Sequence, residues 1–180
     1  MKTIVIVAHP NLALSRINKV WIEELQKHDN ITIHQLYKTY PDEAIDIARE
    51  QLLLEAHNRI IFQYPLYWYS TPPLLKKWFD VVLQYGWAFG PGGDNLQGKE
   101  IGVAISTYGS AESYQPGGTN RFTIREIMRP VEALTHFISA SYLPPFSLSD
   151  VSNVSEEQLE QSKIDYLYHI TSVRPVALSN

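Results

Sequence analysis

The sequence predicts an α/β domain in which a parallel sheet of about five strands is covered by helices on both faces. Three observations support this prediction: short apolar runs alternate with helical patterns, the first run is apolar almost throughout, and no repeat or linker interrupts the series. Strands joined through helices pair in parallel with right-handed crossovers, which favours a doubly wound three-layer sandwich with the strand order 2-1-3-4-5.

Each strand is predicted from a short run rich in apolar and β-branched residues. The first run is typical of a strand that is buried on both faces. The second run contains more polar residues and therefore indicates a strand nearer the edge of the sheet. The predicted strands span residues 3–8, 31–37, 59–63, 101–105 and 141–143.

Apolar residues at helical spacing predict a helix after each strand. Ser15 is expected to cap the first helix, and Ser155 with Gln158 has the spacing of a capping box for the last one. Pro130 should kink or split the fourth helix because proline lacks a backbone N–H. The helices are predicted near residues 17–25, 46–57, 74–83 and 122–138, and after Ser155.

The chain has 180 residues, enough for one domain that buries roughly 70% of the surface its unfolded form would expose. We assign residues 1–171 to this single domain and residues 172–180 to a loosely held C-terminal tail. The apolar run at residues 4–8 is too short for a signal peptide, and no run approaches the ~20 apolar residues that span a bilayer. We therefore expect a soluble, cytoplasmic protein.

Composition excludes several kinds of site. The chain has no cysteine, so disulfides, thiolate metal sites and cysteine nucleophiles are absent. Its formal net charge of −4 and its lack of a Lys/Arg cluster argue against a nucleic-acid partner. The histidines lack metal-ligand spacing, so we predict no metal site. We expect five of them on the surface or on helix faces: His28, His34, His57, His136 and His169.

Motifs of competing nucleotide-binding and hydrolytic classes are missing. The chain has no G-x-x-x-x-G-K-[ST], and no G-x-G-x-x-G follows the first strand, so neither a P-loop nor a dinucleotide fingerprint is predicted. A receiver domain would need acidic residues after the first and third strands, where the chain has Ala8-His9-Pro10 and Tyr64-Pro65. The lack of G-x-S-x-G leaves an α/β-hydrolase serine unsupported.

The loop after the third strand carries the strongest functional signal. It holds Tyr67, Trp68 and Tyr69 between Pro65 and Pro72, and prolines stiffen the backbone on both sides. Adjacent aromatics in a rigid loop suit a flat, conjugated ligand such as a flavin, which requires stacking and burial. The alternative is an aromatic plug that only fills a crevice.

Two further loops end at the same edge of the predicted sheet. After the first strand, a helix N-terminus could bind a phosphate, with donors from His9, Ser15, Arg16 and Asn18. After the fourth strand, residues 106–109 would let the backbone approach the rim of a ring. Taken alone, the first loop is better explained as a plain helix cap and the second as an ordinary surface loop. Together, the three loops favour a ligand like flavin mononucleotide over an empty crevice.

Several motifs in register resemble one known family. They are Ala8-His9-Pro10 with Ser15 and Asn18, Leu36-Tyr37 with Tyr40-Pro41-Asp42 and Ile45-Asp46-Ile47, Trp68-Tyr69-Ser70 with Pro72-Pro73, Gly86-Trp87-Ala88-Phe89-Gly90, and Leu143-Pro144-Pro145-Phe146. On these residues the chain resembles the flavodoxin-like NAD(P)H:quinone oxidoreductases. Within them it most resembles the ancillary flavoproteins of glutathione-regulated potassium-efflux systems and the general-stress oxidoreductases. The resemblance runs from residue 2 to about residue 147.

The resemblance implies a flavodoxin-like fold, a homodimer and a non-covalent FMN, with FAD as the alternative cofactor. It implies that NADPH or NADH passes a hydride through the flavin to quinones or related electrophiles in a ping-pong reaction. Trp87 and Phe89 would lie near the partner subunit's pocket. The implied cofactor-binding residues are His9, Ser15, Arg16, Ile17 and Asn18 on the phosphate side, Pro65, Leu66, Tyr67, Trp68 and Tyr69 behind the ring, and Ser106, Thr107, Tyr108 and Gly109 at its rim.

Two tyrosines in the third loop bear on this implied site. The family usually has Thr-Thr-Gly-Gly where this chain has Ser106-Thr107-Tyr108-Gly109, so Tyr108 would either crowd the ring or turn away and form another wall. Tyr114 lies where some members carry a tyrosine that assists proton transfer. As a phenol with a pKa near ~10, it would donate a proton at neutral pH rather than accept one.

Two other functions fit the same residues. The chain could be a regulatory subunit of a membrane potassium-efflux protein, held at the inner face of the membrane, with incidental reductase activity. It could also be a flavin-free descendant in which Tyr108 has closed the pocket. The residues do not decide FMN against FAD, or NADH against NADPH.

Overall fold

A parallel sheet forms the middle layer of the computed structural model, which describes residues 1–172. Its strands are β1 (Thr3–Val7), β2 (Ile31–Gln35), β3 (Arg59–Pro65), β4 (Glu100–Ser106), β5 (Ser141–Tyr142) and β6 (Phe146–Leu148). They lie in the order β2-β1-β3-β4-β5, and β6 also pairs with β4. Every pairing is parallel. The flavodoxin-like fold class and the strand order 2-1-3-4-5 are confirmed.

The fifth strand position is filled by two segments, of which only the first was predicted. Ser141 pairs with Glu100 in β5, and Phe146 pairs with Ala104 in β6. The pairing shifts by one residue between the two segments, at the Pro144-Pro145 step. Prolines cannot donate ladder hydrogen bonds, so they interrupt the strand without ending the pairing. The expectation of five strands is therefore corrected by the addition of β6.

Helices cover both faces of this sheet. The predicted capping box at Ser155 and Gln158 is confirmed, and Ser15 caps the first helix by accepting the Asn18 N–H. The predicted helix over residues 122–138 divides before Pro130, as expected. The second strand ends two residues earlier than predicted because the chain turns into a short helix there. The helices are α1 (Arg16–Leu25), α2 (Leu36–Thr39), α3 (Ile47–Glu55), α4 (Pro73–Val82), α5 (Ile124–Ile127), α6 (Arg129–Phe137) and α7 (Glu156–Thr171).

Two apolar layers flank the sheet because side chains alternate along each strand. Ile4 and Phe62 belong to the layer that contains Trp78 of α4. Val5 and Ile61 belong to the opposite layer, together with residues of α1 and α7. This arrangement is the three-layer sandwich that the sequence predicts.

A buried carboxylate ties strand β2 to helices α3 and α4. The Glu50 side chain is 1% exposed and accepts hydrogen bonds from the Tyr40 hydroxyl (2.6 Å) and the Trp78 indole N–H (2.7 Å). His34 Nε2 lies 2.8 Å from the same carboxylate. Burial alone would raise the pKa of Glu50, but its hydrogen bonds with His34 and Tyr40 lower the pKa below the ordinary value. Glu50 is therefore ionised at neutral pH.

Two histidines that the sequence placed on the surface or on helix faces are buried instead. His34 contacts Glu50, and His57 lies 2.8 Å from the Thr32 hydroxyl and 2.7 Å from the Leu53 carbonyl. His34 reaches Glu50 of α3 and His57 reaches Thr32 of β2, and sequence spacing shows neither of these two contacts. That prediction was wrong because burial depends on the tertiary partner.

The fully buried Arg59 holds the end of α7 against the sheet. Its guanidinium donates to Glu100 and to the carbonyl oxygens of Ile170 and Ser172. The rest of the predicted tail, residues 173–180, lies outside the described residues, and the domain boundary at residue 171 stays a prediction. Within residues 1–172, no helix has the length and apolar character needed to cross a bilayer.

Replacing Glu50 with glutamine should lower the free energy of unfolding by about 3 kcal/mol at neutral pH, because three donors lose a charged acceptor. The pKa of Glu50 is lower in the folded state than its ordinary 4.5, so its stabilisation is present above about pH 4.5. This stabilisation is lost as the pH falls through the folded-state pKa. Urea unfolding of Glu50→Gln and wild type across this range measures the difference.

Glu160→Gln is the matched control, since Glu160 is an exposed partner of Lys163 and its loss should cost less than about 1 kcal/mol. A stability difference between Glu50→Gln and wild type that is the same in acid as at neutral pH would contradict the ionised state of Glu50.

Candidate functional site

Three loops meet at the carboxyl edge of the sheet, where β1, β3 and β4 lie side by side. Val7 at the end of β1 pairs with Gln63, and Pro65 at the end of β3 pairs with Ser106. The Leu66 N–H donates to the Ser106 carbonyl, which joins the loops after β3 and β4 (2.9 Å). Ligands in doubly wound sheets bind at this edge, at the point where the winding reverses.

A buried polar network forms the base of this crevice. The Asn18 side-chain amide donates to the hydroxyls of Ser15 (3.2 Å) and Ser106 (3.0 Å). Gln63 in turn donates to the Asn18 backbone carbonyl (3.1 Å) and to its side-chain oxygen (3.3 Å). One network therefore joins the loop after β1 to β3 and β4.

Gln63 is a member of this network that the sequence prediction missed. A signal was available, since Gln63 is a polar residue directly after the apolar run 60–62. Its side chain is fully buried, and its Oε1 has no hydrogen-bond partner among the described residues. A buried acceptor without a partner is costly, so this oxygen is a natural place for a donor from solvent or a ligand.

The start of α1 offers backbone donors more than side chains. The Ile17 side chain is buried in the core, and the Arg16 guanidinium turns toward α7, donating to the Val154 carbonyl (2.6 Å) and to Glu156 (2.5 Å). The Ser15 hydroxyl accepts from the Asn18 backbone and side chain, which leaves its proton free to point elsewhere. A helix N-terminus of this kind favours an anion.

His9 adds a neutral donor beside this helix start. Its Nδ1 accepts the Asn11 N–H (3.1 Å), so the proton of the neutral ring belongs on Nε2. Burial lowers the pKa of His9 below its ordinary value of 6.5, which keeps the ring neutral at neutral pH. His9 also lines a cavity of about 240 Å³ between the ends of β1 and β2.

Residues 67–70 form a tight turn, which we call the aromatic turn. Tyr67 and Ser70 exchange backbone hydrogen bonds of 3.0 and 2.9 Å across it. Trp68 (φ +45°) and Tyr69 (φ +62°) both adopt the left-handed region, which is costly for large side chains. Trp68 is 91% exposed, and its two neighbours are exposed as well. The exposed aromatics do not fill a crevice, which counts against the plug alternative.

The loop after β4 packs tightly on itself around a glycine. A Cβ atom on Gly109 would lie 2.8 Å from the Ser113 hydroxyl and 3.1 Å from the Tyr114 ring, so a side chain there would displace its neighbours in the loop. Ser106 and Thr107 are buried, whereas the Tyr108 side chain is 80% exposed. Tyr108 therefore turns toward solvent and does not close the crevice.

Tyr114 lies under this loop as a neutral phenol. Its side chain is buried against Gly109. Burial raises the pKa of Tyr114 above its ordinary value, and a hydrogen bond with the Thr107 side chain opposes only part of that rise. Tyr114 keeps its proton at neutral pH, and its role in proton transfer stays a prediction.

A second, apolar groove of about 160 Å³ lies between α4 and α6. The Tyr69 ring lines this groove rather than standing free over the crevice, together with Phe79, Met128 and Leu134. Beyond the groove, the Phe89 ring contacts Tyr85 (centroids 5.8 Å apart) and Phe137 (5.1 Å). The Tyr85 and Phe137 side chains are more than two-thirds exposed. The Trp87 indole N–H donates to Glu55 of α3 (2.7 Å).

One known family matches almost the whole chain. A family model described as the flavodoxin-like fold matches residues 1–170. The chain belongs to the flavodoxin-like fold family.

No group of three metal-ligating side chains occurs within residues 1–172.

Curated members of this flavodoxin-like group are similar to the chain over most of its length. General stress protein 14 of Bacillus subtilis is 53% identical over 90% of this chain and 93% of its own length. The uncharacterized NAD(P)H oxidoreductase YdeQ of Bacillus subtilis is 47% identical, over 96% of this chain and 88% of its own. The potassium-efflux ancillary protein KefG of Cronobacter sakazakii is 42% identical, over 80% of this chain and 78% of its own.

Solved structures of similar proteins share the fold closely. General stress protein 14 of Treponema denticola in complex with FMN has a TM-score of 0.91 and 40% identity, covering 94% of this chain and 98% of its own. An NADPH-quinone reductase from P. pentosaceus has a TM-score of 0.90 and 34% identity, covering 97% and 100%. A structure described as a tryptophan halogenase from Streptomycin violaceusniger has a TM-score of 0.93 and 44% identity, covering 95% and 99%.

Replacing Asn18 with alanine should lower the free energy of unfolding by about 2–3 kcal/mol, because it removes the amide that links Ser15, Gln63 and Ser106. Urea unfolding measures the loss. The matched control is Asn30→Ala, which removes one exposed contact of 3.4 Å with the Met1 carbonyl and should cost less than about 0.5 kcal/mol. Equal stability of the two variants would show that the network does not hold the crevice together.

Proposed function

We propose that this flavodoxin-like protein is an FMN-dependent NAD(P)H oxidoreductase that reduces quinone-like acceptors. The observation that carries the proposal is the meeting of three features at one edge of the sheet: the capped start of α1 beside neutral His9, the exposed aromatic turn, and the close approach at Gly109. The FMN complex of the Treponema denticola relative and the oxidoreductase names of other relatives support it.

The phosphate of FMN fits the start of α1. The Ser15 hydroxyl has its proton free, the helix N-terminus presents backbone N–H groups, and His9 Nε2–H supplies another donor. Arg16 and Ile17 would contribute their backbone N–H groups alone, since their side chains contact α7 and the core. Asn18 would hold Ser15 in place through its two hydrogen bonds.

The flavin ring fits between the loops after β3 and β4. Pro65, Leu66 and Tyr67 would lie behind the ring, with Trp68 standing at the open side. Ser106, Thr107 and Gly109 would bring the backbone to the rim, where amide groups can hydrogen-bond the ring's polar edge. Tyr108 points to solvent and would form an outer wall of the substrate opening rather than displace the cofactor.

Bound FMN would supply the redox chemistry, taking a hydride from NADPH or NADH and passing it to the acceptor. The chain's own residues would position the ring, exclude water from its buried side, and hold a proton at Tyr114. Because one open side serves donor and acceptor in turn, the two substrates would follow a ping-pong sequence. A cytoplasmic location would give the protein access to both substrates, the nicotinamide donor and the quinone-like acceptor.

We further propose that the protein is a homodimer formed through the α4–α6 groove and the adjoining aromatic surface. Tyr85 and Phe137 present exposed rings there on either side of the partly buried Phe89, and apolar surface of this kind is typical of interfaces between subunits. Trp87 and Phe89 would then approach the partner subunit's pocket, as the family resemblance implies.

A second candidate function is regulation of a membrane potassium-efflux protein. The 42% identity with KefG of Cronobacter sakazakii over 80% of the chain favours it. Reductase activity would then be incidental or would sense the redox state. Co-purification of the intact protein with a potassium-efflux antiporter tests this candidate, and failure to retain any antiporter would remove it.

Visible spectroscopy under anaerobic conditions tests the proposed activity directly. Added FMN should show perturbed absorption bands, which NADPH should bleach and a quinone should restore. Initial rates plotted against both substrates should give parallel reciprocal lines. Unperturbed FMN bands at saturating cofactor would contradict the proposal.

Replacing His9 with alanine should weaken FMN binding about tenfold, because a donor to the charged phosphate is lost. Titration followed by flavin fluorescence measures the dissociation constant. His136→Ala removes a surface histidine of α6 and should leave the constant unchanged. If both variants bind FMN as wild type does, His9 does not contact the phosphate.

Phe137→Glu should convert the dimer to a monomer, because it places a charge on the exposed aromatic surface. Light scattering after size-exclusion chromatography should give twice the chain mass of 20.6 kDa for wild type and the single mass for the variant. Ile164→Glu, which alters an exposed residue of α7, should stay dimeric. A monomeric wild type would contradict the dimer.

A further inference from the structure

The side chain of Asn120 connects the two loops that flank the proposed ring site. Its Oδ1 accepts a hydrogen bond from the Tyr69 hydroxyl (2.9 Å), and its Nδ2 donates to the Ser113 hydroxyl (2.8 Å). The Ser113 hydroxyl continues the chain by donating to the Ser110 carbonyl (2.6 Å). Three hydrogen bonds therefore run from the aromatic turn into the loop after β4.

Asn120 is itself held by that loop. Its backbone N–H donates to the Ser113 carbonyl (2.9 Å). A Cβ atom on Gly109 would come within 3.1 Å of the Asn120 Nδ2. The Asn120 amide is therefore packed closely against Gly109, and a side chain at that position would push on it.

The aromatic turn needs such an external contact. Trp68 and Tyr69 both occupy the left-handed region, which is strained for large side chains and persists only where surrounding contacts hold it. The backbone bonds between Tyr67 and Ser70 close the turn, and the Leu66 N–H holds its base at Ser106, but neither contact reaches the strained residues at its tip. In the described part of the chain, the bond from Tyr69 to Asn120 is the one hydrogen bond made by a side chain of the turn.

We propose that Asn120 is a positioning residue that latches the aromatic turn to the loop after β4 and so sets the width of the crevice. The proposal rests on the proposed function, because the crevice is the ring site of FMN. With the latch closed, the turn is held ready to receive the ring. With the latch open, the strained turn relaxes, and binding must restore its conformation at the expense of affinity.

A double-mutant cycle tests the latch. Tyr69→Phe removes one half-exposed hydroxyl and keeps the ring, and Asn120→Ala removes the acceptor. Each single variant should weaken FMN binding about three- to tenfold, and the double variant should bind no more weakly than Asn120→Ala alone, because Asn120→Ala already removes the bond that Tyr69→Phe removes. Additive losses, or no loss in Tyr69→Phe, would overturn the latch.

Hydrogen–deuterium exchange of the flavin-free protein gives a readout that does not need the cofactor. The amides of Tyr67 and Ser70 should exchange about three- to tenfold faster in each variant, again without additivity. Asn58→Ala, which removes a contact with the Lys2 N–H at the opposite end of the sheet, should leave both FMN binding and this exchange unchanged.

The two readouts separate the possible failures. If wild type does not bind FMN but the exchange of the turn rises as expected, the latch holds and the proposed function fails. If wild type binds FMN and neither readout changes in the variants, the proposed function stands and the latch is overturned.

Discussion

The buried amide of Asn18 is the contact on which the crevice depends. It joins the Ser15 cap of α1 to Ser106 at the end of β4, and Gln63 of β3 holds it from below. Parallel strands of a doubly wound sheet all have their carboxyl ends at one edge, but the distance between the loops that follow them is not fixed by the sheet. In this chain one side-chain network joins the loop after β1 to β3 and β4 and leaves polar groups at the base of the crevice.

Two further structural features shape the crevice above this polar network. One is the left-handed backbone of Trp68 and Tyr69, which turns aromatic side chains toward solvent. The other is the tight packing at Gly109, where a Cβ atom would lie 2.8 Å from the Ser113 hydroxyl and 3.1 Å from the Asn120 amide of the same loop. Strain and close approach of this kind persist only where surrounding contacts enforce them, and they concentrate at functional sites.

Local chemistry explains which parts of the fold could be predicted from the sequence. The cap at Ser15, the capping box at Ser155 and the break before Pro130 each depend on residues within one helical turn. The burial of Glu50 and His34 could not be predicted, because neither periodicity nor spacing shows that two polar residues will pair between a helix and a strand.

The candidate site, like the fold, was predictable from the sequence only in part. Its place on the sheet and its aromatic loop follow from the sequence, because the alternation of strands with helices fixes the strand order through general topology rules and the proline spacing is a local signal. The left-handed turn was not predictable, since no glycine or asparagine marks Trp68 or Tyr69. The link from Tyr69 to Asn120 spans 51 residues and leaves no pattern in the sequence.

A crystal structure of the chain with FMN would test the central claim most directly. The account predicts the phosphate within hydrogen-bond distance of the Ser15 hydroxyl and His9 Nε2, with the ring between residues 66–69 and 106–109. FMN bound in the α4–α6 groove, or with its phosphate away from the start of α1, would contradict it.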